Sequence, residues 1–296
     1  MEIIDSLFTS IEPELLATGF IFTEGPLWHS DGILFVSDVD AQIHYKVHLQ
    51  EEVVTEVIRN SSGGANGAVF DKNGCLVICE QDARRVVRYE PDGSITVLVD
   101  NYGGKRLNRS NDIILHHDDS LYFTDPDKKG LEESDKELGF ASIFRVNVDG
   151  DLVLLANDMN HPNGLGFSVD GKTLYVSNSR PDPHLHAYSV DSSGLLINSR
   201  IVAEMPYGNL GELSGVPDGL KLDAKGNIYV TGPGGIWIWD KYEEFLGVIE
   251  LPELPANIGW GGIDNCTMFI TARTSVYTLK MATPGIPKQF RNRLMS

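Results

Sequence analysis

Residues 161–179 read HPNGLGFSVDGKTLYVSNS. Two short apolar segments flank the turn VDG: Leu165 and Phe167 alternate before it, and Leu174, Tyr175 and Val176 extend after it. That is the pattern of an antiparallel hairpin. The second segment, LYVSN from Leu174, has five relatives. They are LFVSD from Leu34, LVICE from Leu76, LYFTD from Leu121, IYVTG from Ile228 and MFITA from Met268, spaced by 42, 45, 53, 54 and 40 residues. Another short apolar segment precedes each, in most cases with a turn such as HSDG, DKNG or DAKG. Third segments (RRVVRYE, SIFRVNV, HLHAYSV, GIWIWD) and fourth ones (ITVLV, LVLLA) follow several of them. Helical periodicity is nearly absent.

A four-stranded unit repeated at this period is the sequence signature of a β-propeller. One such sheet cannot cover its own faces, but sheets packed face to face around an axis cover each other. Six units predict an all-β fold, a six-bladed propeller with a central channel, forming a single domain over 1–296. The segment PELLATGF precedes the first blade and is expected to supply the outer strand of the last.

Counting back ten or eleven residues from the six markers gives Glu24, Asn66, Asn111, Asn163, Asp218 and Asn257. These residues occupy one place in the innermost strand of each blade, so their oxygens converge on the channel axis. Taken singly, each Asn-Gly or Asp-Gly pair reads as a turn. Taken as an aligned set, they would repel and lack partners unless a cation joins them. Hard oxygen donors favour calcium first, with magnesium, manganese or zinc as alternatives; no histidine or cysteine stands in the ring.

Strand parity places Phe22, Arg109 and His161 on the same face, one layer nearer the mouth. It places Pro26, Ala68, Ile113, Leu165 and Leu220 one layer below, as an apolar floor. The loop after each second strand returns to the mouth and brings Glu80, Asp125 and Asn178 there, to cap backbone groups or to touch substrate. His116 and His117 are expected in a solvated turn at the opposite end.

The formal net charge of −18 disfavours nucleic acid and anionic membrane surfaces as partners. The N-terminus shows no basic and apolar leader pattern. Cys75 and Cys79 lie about 13 Å apart at strand rise, too far for a disulfide, and Cys266 has no evident partner. The expectation is a reduced, cytoplasmic setting.

The segments FTEGPLW, GGANGAVFDKNGCLVICEQDARRVVRY, RSNDIILHHDDSLYFTDP, HPNGLGFSVDGKTLYVSNS and GVPDGLKLDAKGNIYV resemble the gluconolactonase, regucalcin and luciferin-regenerating-enzyme superfamily. The likeness spans roughly residues 15–275, with the gluconolactonase-like branch nearest. The segment CEQD carries Gln81 where that branch has a histidine. The resemblance implies a six-bladed propeller that opens lactones with one divalent cation, usually calcium. On matching positions it implies Glu24, Asn111, Asn163 and Asp218 as metal ligands, Asp218 also as general base, and Arg109 as a substrate contact. The substrate set is then Arg109, His161, Asn66, Glu80, Asp125 and Phe22, around a small-molecule lactone whose carbonyl is polarised by the cation. No GXSXG elbow suggests an acyl-enzyme. A related propeller hydrolase acting on an organophosphate or another ester, or a non-catalytic binding platform, would share the fold.

Overall fold

The computed structural model describes residues 6–127, 136–205 and 215–287. Among them there is no α-helix, and six four-stranded antiparallel sheets form the blades of a propeller. In blades 1 to 5 the chain runs outward strand by strand. The innermost strands of blades 1 to 5 are Thr23–His29, Ala65–Phe70, Ile113–Leu115, Pro162–Phe167 and Leu220–Leu222; that of blade 6 is Pro255–Gly261. Each innermost strand touches that of the next blade, and the sixth touches the first, so the ring is closed. As expected, the N-terminal strand Phe8–Thr18 pairs with Ser275–Met281 and is the outer strand of blade 6.

Burial explains the repeat. Six apolar clusters fill the six gaps between neighbouring blades. Leu34, Val36 and Phe269 lie between blades 6 and 1, for example, and Ile143, Leu165 and Val176 between blades 3 and 4. The first and third letters of each recurring pentapeptide feed these clusters. The three cysteines are free, with Cys79 wholly buried.

The fourth letter of the pentapeptide, polar in five repeats, ties blade to blade. The Ser37 hydroxyl donates to the Asn66 carbonyl at 2.8 Å. Thr124 does the same for Asn163 at 2.8 Å, and Thr231 for Ala256 at 2.8 Å. Ser177 likewise donates to the Asp218 carbonyl. Each bond runs from a second strand to the innermost strand of the following blade. Blade 2 has Cys79 at this position; there the Gly67 N–H donates to the Asn111 carbonyl at 2.9 Å.

The glycines that follow ring residues are not turn residues. A Cβ on Gly164 would run into the Asp218 carbonyl oxygen, and one on Gly67 would meet the Asp112 Cα at 2.6 Å. The innermost strands approach too closely there for any side chain.

Candidate active site

The ring residues stand where their strands are irregular. The pairing of the first and second strands slips register beside Glu24, Asn66, Asn163 and Asn257. Such a bulge re-aims side chains and breaks the two-residue alternation. The expected floor is corrected in part. Leu165 and Leu220 are wholly buried between blades, and the layer below the ring is lined by Pro26, Ala68, Ile113, Gly166, Lys221 and Gly259. That layer opens into a cavity of about 460 Å³ at the end of the channel remote from the ring. His117 is exposed there, but His116 is buried, 5% exposed, packed on Tyr122 and Phe167.

The structure brings the ring together. Glu24, Asn66, Asn111, Asn163 and Asn257 are buried, and Asp218 is partly accessible from the mouth. Glu24 Oε2 accepts from Gly25 N at 3.0 Å and from Asn257 Nδ2 at 2.9 Å. Asn257 Oδ1 accepts from Ile258 N at 2.9 Å, so both of its amide atoms are in use. Asn163 donates to Ser179 Oγ at 3.0 Å. Asn66 Nδ2 donates to Gln81 Oε1 at 3.3 Å. The Oδ1 atoms of Asn66 and Asn111 are buried and accept nothing among the described residues.

Electrostatics point the same way. Burial pushes the Asp218 carboxyl well above the usual range, and the Glu24 charge pushes it further. Burial likewise raises Glu24, against the hydrogen bonds from Asn257 and Gly25. Below them Lys221 Nζ donates to Asp112 Oδ2 at 2.9 Å, a partly buried pair that the repeat alignment does not reveal. Among the described residues no three His, Cys, Asp or Glu side chains are grouped to hold a metal. What the ring offers instead is two carboxylates and two unsatisfied amide oxygens. That donor set fits a hard divalent cation, which would match the two negative charges and give the orphaned Asn111 oxygen a partner.

Above the ring, Arg109 Nε donates to Gln81 Oε1 at 2.6 Å. His161 is buried, and its Nε2 lies 3.1 Å from Arg180 Nη2. Phe22 is half-buried at the start of blade 1. The fifth letters of the pentapeptides hold this layer in place. Asp38 accepts from Phe22 N at 2.9 Å, Asp125 from Arg109 N at 2.8 Å, and Asn178 from His161 N at 2.8 Å. The expectation that Asp125 and Glu80 face substrate is corrected accordingly. Both are 0% exposed. Asp125 spends its two oxygens on Asn108 and Arg109 N–H groups, and burial pushes its carboxyl up to about 7. Glu80 is paired with Arg59 and with Arg85 at 2.6 Å. Gln81 and Arg180 are the site residues that repeat counting passes over. Each directly follows a marker or its next residue, where no period repeats; only the unusual glutamine in CEQD signals one of them.

A six-bladed propeller whose channel narrows to a ring of carboxylate and amide oxygens, beneath two arginines, defines the class. The chain belongs to the SMP-30/Gluconolactonase/LRE-like family, whose sequence profile it matches over residues 22–274. It is 34% identical over 292 residues to a gluconolactonase of Zymomonas mobilis, covering 92% of this chain and 82% of that one. It superposes on a gluconolactonase of Xanthomonas campestris with a TM-score of 0.85 at 29% identity, covering 95% of this chain and 93% of that one. A calcium-binding protein, regucalcin, of Agrobacterium tumefaciens shares the fold, with a TM-score of 0.78 at 19% identity, covering 93% and 95% of the two chains.

Proposed function

We propose that this protein hydrolyses the ring ester of a sugar lactone at the ring of channel oxygens, with one divalent cation, calcium first, held by Glu24, Asn111, Asn163 and Asp218. One observation carries the reading. A buried carboxylate, Glu24, and a partly accessible one, Asp218, stand under Arg109 beside amide oxygens that lack partners. The gluconolactonase relatives support a lactone as substrate.

When bound, the cation supplies a Lewis acid that draws charge from the lactone carbonyl. The chain's own groups do the rest. Asp218, a carboxylate of the ring that is accessible from the mouth, is placed to take a proton from the attacking water. Oxygen from water bonds to the carbonyl carbon, the ring C–O bond breaks, and the proton passes from Asp218 to the departing alkoxide. The product is an open hydroxy acid. Gln81 holds Arg109 by Nε, which leaves its two terminal nitrogens to face the negative charge that develops on the carbonyl oxygen. Asn66 Oδ1 stands ready to accept from a substrate hydroxyl. The site lies in a channel walled by buried strands, where such charges act through little water.

Acid release from a panel of five- and six-membered sugar lactones, simple esters and organophosphates tests this. Turnover of at least one sugar lactone well above the others is expected. Turnover of esters or organophosphates alone would overturn it.

A further inference from the structure

The third segment of blade 4, HLHAYSV, begins with two histidines that the ring chemistry leaves unused. They open the strand His184–Val190, and a spacing of two puts both on one face of it. His186 is buried and His184 half-buried. His184 Nε2 and His186 Nδ1 lie 3.3 Å apart. Two nitrogens bound to one tetrahedral ion at about 2.0–2.1 Å stand about 3.3–3.4 Å from each other, so the pair has the bite of a chelate. The tautomer of His184 suits it. Its Nδ1 donates to the Asp182 carbonyl at 2.6 Å, which leaves a lone pair on Nε2. A backbone carbonyl behind the remote nitrogen is the usual support of a metal-ligating imidazole. His186 Nε2 is buried with no partner among the described residues, so Nδ1 is the nitrogen that this ring offers. Burial lowers the His186 pKa and keeps the ring neutral, as a ligand must be. Negative charge surrounds the pair. Glu204 stands directly across from His184 in the adjacent strand Leu196–Glu204, hence on the same face, with an exposed carboxylate that pairs with no cation among the described residues. Beyond His186, Tyr188 donates to the Asp158 carboxylate at 2.6 Å. Arg200 of the adjacent strand is neutralised by Glu243, which accepts from it at 2.7 and 2.5 Å.

We propose that His184 Nε2, His186 Nδ1 and the Glu204 carboxylate form a second metal site, on blade 4, for a borderline dication such as zinc rather than for calcium. The two imidazoles are already in place; Glu204 reaches the ion by rotation of its exposed side chain, and water completes the shell. Imidazole nitrogen suits zinc and carboxylate or amide oxygen suits calcium, so the two sites of the chain sort cations by the softness of their donors. The blade 4 site lies at the rim of the mouth. The Asp182 carbonyl that holds His184 also accepts from Asn178 Nδ2 at 2.8 Å, and Asn178 in turn accepts the His161 N–H. The site goes beyond the lactonase reading and stands without it.

Zinc is the probe, added at neutral pH to protein held in excess calcium so that the ring is occupied. Calorimetry compares the wild type with His184→Gln, Glu204→Gln and His117→Gln. The wild type should take up one zinc per chain in a step that calcium does not displace. His184→Gln should weaken that step at least about tenfold, and Glu204→Gln by a smaller factor. His117→Gln, at the other end of the channel, should leave it unchanged. Nitrogen NMR of isotope-labelled histidine reads the ligands in the wild type itself, so no variant has to fold for the site to be tested. Zinc should shift His184 Nε2 and His186 Nδ1 and leave the other imidazoles where they are. Equal zinc affinity in the wild type and His184→Gln overturns the site, as do spectra in which neither nitrogen moves; the contact is then an ordinary hydrogen bond between two imidazoles. A zinc step abolished by excess calcium belongs to the ring and overturns the site as well. Unchanged affinity in Glu204→Gln strikes the carboxylate from the donor set.

Discussion

At the scale of the residue, Asp218 is placed to do two things, and a single substitution separates them from the fold. Asp218→Asn keeps shape and one oxygen but removes charge and basicity. Lactone hydrolysis should fall by a factor on the order of 10² or more, and bound metal should fall with it, while the thermal midpoint of the metal-free protein stays within a few degrees of the wild type. A variant that keeps both activity and metal would show that Asp218 is neither base nor ligand. His44 offers a different experiment. It is wholly buried between Phe35 and Tyr89, and neither ring nitrogen has a partner among the described residues. Burial, with the charges of Arg59 and Lys46, lowers its pKa to about 3. The unfolded chain therefore takes up a proton near pH 6.5 that the folded chain refuses. The penalty is absent above that pH and grows as pH falls toward 3. His44→Phe removes the titration and the unsatisfied nitrogens together. It should stabilise the fold by about 1–3 kcal/mol at pH 7. Its advantage over the wild type should widen by about 2 kcal/mol between pH 7 and 5 in urea titrations. An advantage independent of pH would mean that His44 finds a proton acceptor.

At the scale of the element, the recurring pentapeptide is the functional unit. Its letters pack the blade, tie it to the next and cap the mouth in turn. Thr124 accepts from Asp112 N at 3.1 Å and donates to the Asn163 carbonyl, so one hydroxyl bridges blades 3 and 4 beneath the ring. Thr124→Val keeps the shape and strands both groups; unfolding free energy should drop by about 1–3 kcal/mol. No drop would make the hydroxyl incidental. The pentapeptides also show what sequence reveals. Six markers at near-constant spacing reveal the blades, because each blade repeats the same burial problem. Counting back from them finds Glu24, Asn66, Asn111, Asn163 and Asp218, because the hairpin between marker and ring has nearly fixed length. Counting onward by twos fails at Leu165 and Leu220, whose side chains turn into the clusters between blades rather than to the channel. Glu80 and Asp125 were legible as mouth residues but not as struts, since their partners are Arg59, Arg85 and backbone N–H groups brought in by other parts of the blades. Arg180 and the Asp112–Lys221 pair are unique to their blades, so no repeat exposes them.

At the scale of the molecule, the propeller gives the site rigidity at no cost to access. Six interblade cores fix the ring from all sides, the strand Phe8–Thr18 closes the circle, and the mouth stays open to small molecules. The blades do not depend on a cation for their burial, so the protein should remain folded when metal is removed and only the ring chemistry should fail. That separation makes one measurement decisive: lactone hydrolysis by chelator-stripped protein, with metal content determined on the same sample. The account predicts that hydrolysis falls by a factor on the order of 10² or more and returns when calcium or another divalent ion is added back. Full hydrolysis by a sample shown to be free of metal would contradict it.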